Sequence, residues 1–169
     1  MLPNGWDNGS TAIFNGGGHF KDADGNDVNT ETIKLTGEME VADIKVSGDK
    51  NYSISYQAEK TTDKIVGEGT LLKEGSGNFI LNVLNELKGG TVVRGGCVIM
   101  EKADSPNAFG RKVSLEGGGI GMAISDNKNT LKFSAASIVV PDKSTGAITA
   151  GRYVYLLNEF GGKGQLTIY

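Results

Sequence analysis

The chain has 169 residues, of which 38% are hydrophobic, and a formal net charge of −3. This length predicts a single domain with a core that needs no disulfide or metal, and the hydrophobic content excludes a disordered chain. The negative charge excludes a general nucleic-acid binder, whose affinity depends on clustered lysine and arginine. Twenty-six glycines against three prolines favour an all-β chain with many tight turns.

The first residues carry no export signal. The segment MLPNGWDNGS has neither a positive region nor an apolar run, and no window of the chain approaches the roughly 18 apolar residues that span a bilayer. Cys97 is the single cysteine, so it cannot form an internal disulfide and is expected to serve as a small buried hydrophobe. We therefore expect synthesis and folding in a cytosol, without a membrane partner, and export by a route that needs no signal stays open.

Residues 1–10 predict an irregular N-terminal arm. Trp6, the only tryptophan, lies in this arm among Gly, Asn and Asp. An aromatic side chain on a polar arm either folds back onto its own domain or anchors on a partner. Both alternatives remain open at this point.

Residues 16–29 predict an extended polar loop. The run that starts at Asp22 is a poor match to a calcium-binding loop, because Asp27 and Ile33 stand where Gly and Glu are needed. A tight turn or an exposed loop is the preferred interpretation. His19 is the only histidine, and no second histidine or cysteine lies near it to support a metal site or a catalytic triad.

Segments of alternating apolar and polar residues predict roughly nine strands. The clearest is 51–58, where Tyr52, Ile54 and Tyr56 share an apolar face. The opposite face is polar and uncharged, and it consists of Ser53, Ser55 and Gln57. The other candidates are 11–15, two strands within 31–47, 64–73, 91–102, 111–116, 130–140, 152–160 and 165–169, the last of which ends in apolar residues.

One segment, residues 76–88, predicts an α-helix. Its apolar residues fall on one stripe of a helix with 3.6 residues per turn, and Ser76 and the glycines at 89 and 90 match helix caps. The predicted core face of this helix is Phe79, Ile80, Val83, Leu84 and Leu87. Together the elements predict a mainly β fold: a β-sandwich or barrel of roughly nine strands with one flanking helix.

The sequence offers no catalytic motif, so we expect neither an enzyme nor a cofactor or metal. Glu38 and Glu40 share one strand face and could suggest glycosidase chemistry, but paired carboxylates on a solvated face are common in β proteins. The glycine-rich runs lack the spacing and the Lys-Ser or Lys-Thr of a phosphate-binding loop.

The order of the predicted elements resembles that of a known protein family. A strand containing Gly67-Glu68-Gly69-Thr70 leads to the predicted helix, and strand 92–101 and the segment 108–115 with its Gly110-Arg111 follow. This run resembles the tail tube proteins of contractile bacteriophages and phage-derived elements, which are related to secretion-system tube proteins.

The resemblance implies a structural virion protein of the phage tail, assembled in the host cytoplasm as stacked homo-hexameric rings. Its partners would be itself and the sheath, baseplate and terminator proteins, and DNA would pass through without specific binding. An acidic chain would repel phosphates and so help DNA to slide. Ser53, Ser55 and Gln57 become candidates for a lumen-facing surface, and the candidates for contacts between subunits are Trp6, Phe20, Asp22 and Asp24.

Two alternatives belong to other classes. A capsid decoration protein would also be β-rich, poor in cysteine and free of a signal peptide. A monomeric, lectin-like β-rich binding module would use the loop of Asp, Asn and Gly residues at 16–29. The state of assembly of the pure protein separates the three hypotheses.

Overall fold

The computed structural model describes residues 8–16, 20–21, 27–28, 30–57, 63–101, 109–123, 131–133, 137–150, 154–156 and 159–169. In these segments the chain is all-β and winds into a β-solenoid of about five turns. The predicted sandwich or barrel with a flanking helix is therefore wrong. Within the two large sheets, strands pair in parallel with strands of neighbouring turns, so they stack rather than meander.

Twenty short strands make up the described part of the solenoid. Their bounds are β1 Ser10–Phe14, β2 Phe20–Lys21, β3 Asp27–Val28, β4 Thr30–Leu35, β5 Glu38–Val46, β6 Asn51–Tyr56, β7 Lys64–Gly67, β8 Leu71–Lys73, β9 Phe79–Asn82, β10 Leu84–Leu87, β11 Thr91–Val93, β12 Cys97–Met100, β13 Lys112–Leu115, β14 Gly119–Met122, β15 Leu131–Phe133, β16 Ser137–Val140, β17 Thr145–Ala150, β18 Val154–Leu156, β19 Phe160–Gly162 and β20 Gln165–Ile168.

Two parallel sheets hold most of these strands. The larger sheet runs β10-β7-β5-β8-β11-β13-β16-β19, with β1 also paired to β5, and the smaller sheet runs β20-β17-β14-β12-β9-β6-β4. The chain alternates between the two sheets as it advances along the solenoid. Strands β15 and β18 form a separate parallel pair, and β2 and β3 form a separate antiparallel pair.

The core consists of side chains that stack in columns along the solenoid. In the smaller sheet, Tyr52 pairs with Phe79, Phe79 with Val98, Val98 with Ile120, and Ile120 with Ile148. All five side chains are at most 6% exposed. Such a column buries apolar surface continuously because each residue covers its counterpart in the previous turn.

The segment predicted as a helix forms β9 and β10 instead. Its buried residues are Phe79, Leu81, Val83, Asn85 and Leu87, which have a period of two, whereas Ile80 and Leu84 are only half-buried. The helical stripe arose because Ile80 and Leu84 are apolar although they lie on the outer side of their strands. The helix core face assigned to Phe79, Ile80, Val83, Leu84 and Leu87 is thus wrong as a set, and Leu81 was missed.

Glycines allow successive turns to approach closely at the corners. Gly75 has φ +71°, and a Cβ on it would lie 2.2 Å from the carbonyl oxygen of Gly48 in the preceding turn. A Cβ on Gly69 would lie only 1.3 Å from the carbonyl oxygen of Ala42. The high glycine content therefore serves backbone contact between turns, in addition to tight turns.

The N-terminal predictions are only partly covered by the described residues. Of the arm, residues 1–7 with Trp6 lie outside them, and β1 begins at Ser10 within the segment predicted to be irregular. Of the loop 16–29, only Gly16 and the backbone of the β2–β3 pair are described. Phe20 begins β2, whereas His19, Asp22 and Asp24 lie outside the described residues.

Candidate assembly surface

The C-terminal turn of the solenoid ends both sheets. Strand β19 pairs with β16 and strand β20 pairs with β17, and each is the last strand in its sheet. The outer edge of each strand therefore presents backbone N–H and C=O groups with no further strand among the described residues. Such an edge is a template for another strand.

This turn is also apolar. The described residues expose four large hydrophobic side chains, and three of them lie here: Phe160 at 48%, Ile168 at 59% and Tyr169 at 75%. Their counterparts one turn earlier are covered, since Ile138 is 1% exposed and Ile148 is fully buried. Among the described residues, no further strand lies beyond β19 and β20 to cover these side chains.

A cavity of about 170 Å³ lies at this end of the stack. It is lined by Ile138 and Val140 of β16, by β19, and by Gly164 and Leu166 at the start of the final strand. Strand β19 and Leu166 of β20 thus contribute to one cavity. The C-terminal end therefore combines two strand edges that no described strand pairs with, exposed apolar side chains and a small cavity.

The opposite end of the smaller sheet differs in charge. Its last strand is β4, which exposes Glu31 and Lys34. Nζ of Lys34 donates a hydrogen bond to Oγ of Ser55 at 2.9 Å. Charged residues on an edge strand oppose pairing with another chain, so this edge is protected in a way that β20 is not.

Two sets of ion pairs, called charge ladders here, connect successive turns on the outside of the solenoid. Nζ of Lys64 lies 3.0 Å from Oε2 of Glu86 and 3.4 Å from Oε2 of Glu38. The hydrogen bonds to Glu86 and Glu38 raise the pKa of Lys64. The second ladder has Arg94 3.1 Å from Glu74 and 3.0 Å from Glu116.

The ion pairs of Lys64 explain the groove that lies beside them. A groove of about 740 Å³ is lined by Glu38, Glu40, Lys64 and Glu86 together with other residues of β5 and β7. Since Lys64 bridges Glu38 and Glu86, this groove is a solvated ion-pair surface that ties turns together. Among the described residues, no group of three or more His, Cys, Asp or Glu could hold a metal ion.

Lys73 is a fully buried lysine at a corner of the solenoid. Its Nζ donates hydrogen bonds to the carbonyl oxygens of Glu74 at 2.5 Å, Gly75 at 3.0 Å and Gly95 at 3.2 Å. Burial lowers the pKa of Lys73 because it disfavours the charged form. All three donors of the ammonium group are used, so Lys73 fastens two successive corners together.

Cys97 is half-buried, less than the sequence led us to expect. Desolvation raises the pKa of Cys97 to about 11 from an ordinary 9.0, and the nearby charge of Lys73 opposes this only in part. The thiolate is the reactive form of cysteine, and the raised pKa lowers the thiolate fraction at pH 8 about a hundredfold.

We expect iodoacetamide to label native Cys97 about a hundredfold more slowly than the guanidinium-unfolded chain at pH 8, with a rate that rises steeply towards pH 11. Equal labelling rates in both states would contradict this.

The predicted lumen-facing residues lie on and just after β6. Ser53 is half-buried, Ser55 is 8% exposed and Gln57 is exposed. The interior of the solenoid is filled by apolar columns, so these residues do not line a channel within one copy. Whether they face a lumen between copies stays a prediction. The C-terminal turn was missed as a site, although the apolar ending of 165–169 was its signal.

No family model, curated protein or solved structure matches this chain. The resemblance to tail tube proteins depended on an element order that includes a helix at 76–88, and β9 and β10 occupy that segment instead. The described residues contain no helix long and apolar enough to cross a membrane.

Proposed function

We propose that this chain is a structural protein: a β-solenoid unit that associates with itself through its C-terminal turn. The observation that supports this is the open end of the stack, where Phe160, Ile168 and Tyr169 are exposed beside two unpaired strand edges. Burying apolar surface and completing the edge hydrogen bonds both favour association. Elsewhere on the described surface, the charge ladders tie successive turns together.

The experiment compares two lysine substitutions at opposite ends of the solenoid. Ile168→Lys places a charge on the C-terminal turn, whereas Ile13→Lys places one at a position on β1 that is 65% exposed. We expect the wild type and Ile13→Lys to associate and Ile168→Lys to remain at 17.7 kDa in sedimentation velocity across micromolar concentrations. Circular dichroism checks that both variants keep the β fold, which their exposed positions favour.

Two results would overturn this function. A wild-type chain that stays monomeric at all concentrations would show that the open turn does not drive self-association. An Ile168→Lys variant that associates as well as the wild type would show that another surface is responsible.

The phage tail tube expected from the sequence is a more specific form of self-association, and it stays a prediction. It requires closed hexameric rings that stack around a lumen and meet sheath, baseplate and terminator proteins. Particles with sixfold symmetry in negative-stain images would support it. The decoration protein and the monomeric binding module also stay predictions, and a persistent monomer would favour the latter.

A further inference from the structure

We infer that the occupant of the C-terminal turn is a second copy of this chain, docked tail to tail so that β19 and β20 each pair antiparallel with the same strand of the partner. This inference rests on the proposed function and specifies its geometry. A tail-to-tail dimer has twofold symmetry, so each interface residue must suit its symmetry mate. The sequence of the last turn meets that requirement.

The segment around β19 is complementary to itself when it runs antiparallel. Pairing centred on Gly161 places Glu159 opposite the partner's Lys163 and Phe160 opposite the partner's Gly162. Glu159 and Lys163 are both exposed, so opposite charges meet at the two ends of the paired segment.

Size is complementary as well. Phe160 pairs with the buried Ile138, and Gly162 pairs with the buried Val140. Gly162 has φ +96°, and a Cβ on it would lie 1.9 Å from the carbonyl oxygen of Val140, so the position accepts only glycine. In this register the phenyl ring of Phe160 therefore lies opposite a partner residue that has no side chain.

Strand β20 is also complementary to itself when it pairs antiparallel with its copy. Antiparallel pairing centred on Thr167 places Leu166 opposite the partner's Ile168, and both residues continue inward columns that contain Gly146 and Ile148. Leu166 is half-buried and Ile168 is 59% exposed, so the partner strand would bury more of both side chains. Because β19 and β20 are end strands of the two sheets and both contribute to one cavity, a single twofold axis perpendicular to the sheets would bring both strands against their copies.

Head-to-tail stacking is less favourable than this arrangement. The column that ends in Ile168 begins, through Tyr52, at Glu31 of β4. Continuing the column into the N-terminal edge of another copy would press Ile168 against the partner's Glu31 and would desolvate a carboxylate. Head-to-tail contacts would also form open fibres, whereas the tail-to-tail dimer is closed.

Charge reversal at the two exposed residues tests the register. Glu159→Lys places Lys opposite Lys, and Lys163→Glu places Glu opposite Glu, at two symmetry-related positions in each dimer. We expect each variant alone to dimerise about tenfold more weakly at low salt, since each reversed cross-strand pair costs up to about 1 kcal/mol relative to the attractive one. A mixture of Glu159→Lys with Lys163→Glu should form a heterodimer of wild-type affinity, because every pair is then of opposite charge.

A cysteine at the symmetry centre gives an independent measurement. Gly161 has room for a side chain, since its nearest neighbour to a Cβ is Cγ2 of Val139 at 3.8 Å. In a Cys97→Ala background, Gly161→Cys should form a disulfide-linked dimer on mild oxidation, and the control Ile13→Cys at the opposite end should not.

The outcomes separate this inference from the proposed function. If Ile168→Lys abolishes association but the charge reversals change nothing, or their mixture is not restored, self-association stands and the tail-to-tail register is wrong. Open-ended particles larger than a dimer would likewise overturn the register. A wild-type chain that is monomeric throughout would overturn both.

Discussion

We expect Leu81→Asp to unfold the protein and Ile80→Asp, one residue earlier, to leave it folded. Leu81 is fully buried in an inward column between Ile54 and Met100, and Ile80 is half-buried on the outer side of β9. An unpaired carboxylate in that column loses the apolar burial of leucine and adds a desolvation penalty, for a total of more than about 4 kcal/mol. This is comparable with the whole stability of many domains.

The measurement is urea unfolding of both variants followed by far-UV circular dichroism. The pair also separates a strand from a helix, because a helix at 76–88 places Ile80 on its core face and leaves Leu81 outside it. A folded Leu81→Asp protein together with an unfolded Ile80→Asp protein would therefore exclude β9 as described.

Gly75→Ala should destabilise the protein severely, by roughly 3 kcal/mol or more. The added methyl would lie 2.2 Å from the carbonyl oxygen and 2.5 Å from the amide nitrogen of Gly48, so the backbone of two turns must separate. Separation also disturbs the corner that Lys73 fastens through the carbonyl oxygen of Gly75. Such large effects arise where strain and lost packing combine.

Gly37→Ala is the matched control for Gly75→Ala. Gly37 has φ +77°, close to the +71° of Gly75, but nothing lies within 4 Å of a Cβ built on it. We expect a loss of about 1 kcal/mol from the left-handed conformation alone. Equal midpoints of thermal unfolding for the two variants would show that the close approach of the turns contributes nothing.

The sequence predicted the strands better than their arrangement. Strand β6 was predicted with Tyr52, Ile54 and Tyr56 on its inward face, because alternation reports a half-buried strand whatever it pairs with. Tyr52 and Ile54 are buried and Tyr56 is half-buried, whereas Ser55 of the predicted outer face is also buried. The stacking was not predictable from a fixed repeat. Tyr52 pairs with Phe79 and Phe79 with Val98, so the spacing between equivalent positions changes from turn to turn.

The helix prediction failed for a local reason. Ile80 and Leu84 are apolar residues on the outer side of strands, and with Phe79, Val83 and Leu87 they imitate a helical stripe. A solenoid can place aliphatic residues outside because neighbouring turns cover their flanks. The buried Asn85, whose side-chain oxygen accepts the backbone N–H of Leu87, adds a polar residue inside and further hides the alternation.

The candidate assembly surface could be predicted only in part. An apolar strand at 165–169 was visible in the sequence, but its exposure follows from its being the last rung of a stack. Glu159 and Lys163 carried no signal on their own, since their relation appears only when the segment is paired with itself in reverse. Long-range pairing, rather than residue type, decides both features.

Because each turn touches only the turns before and after it, damage to the stack stays local. Among the described residues, the turns at the two ends of the stack have a neighbour on one side only, so we expect thermal opening to begin at the ends, while the middle turns around Phe79 and Val98 open last. Joining two copies through their C-terminal turns would place one of these weak ends of each copy at the centre of a rod of twice the length. Assembly would then protect the chain from fraying as much as it extends it.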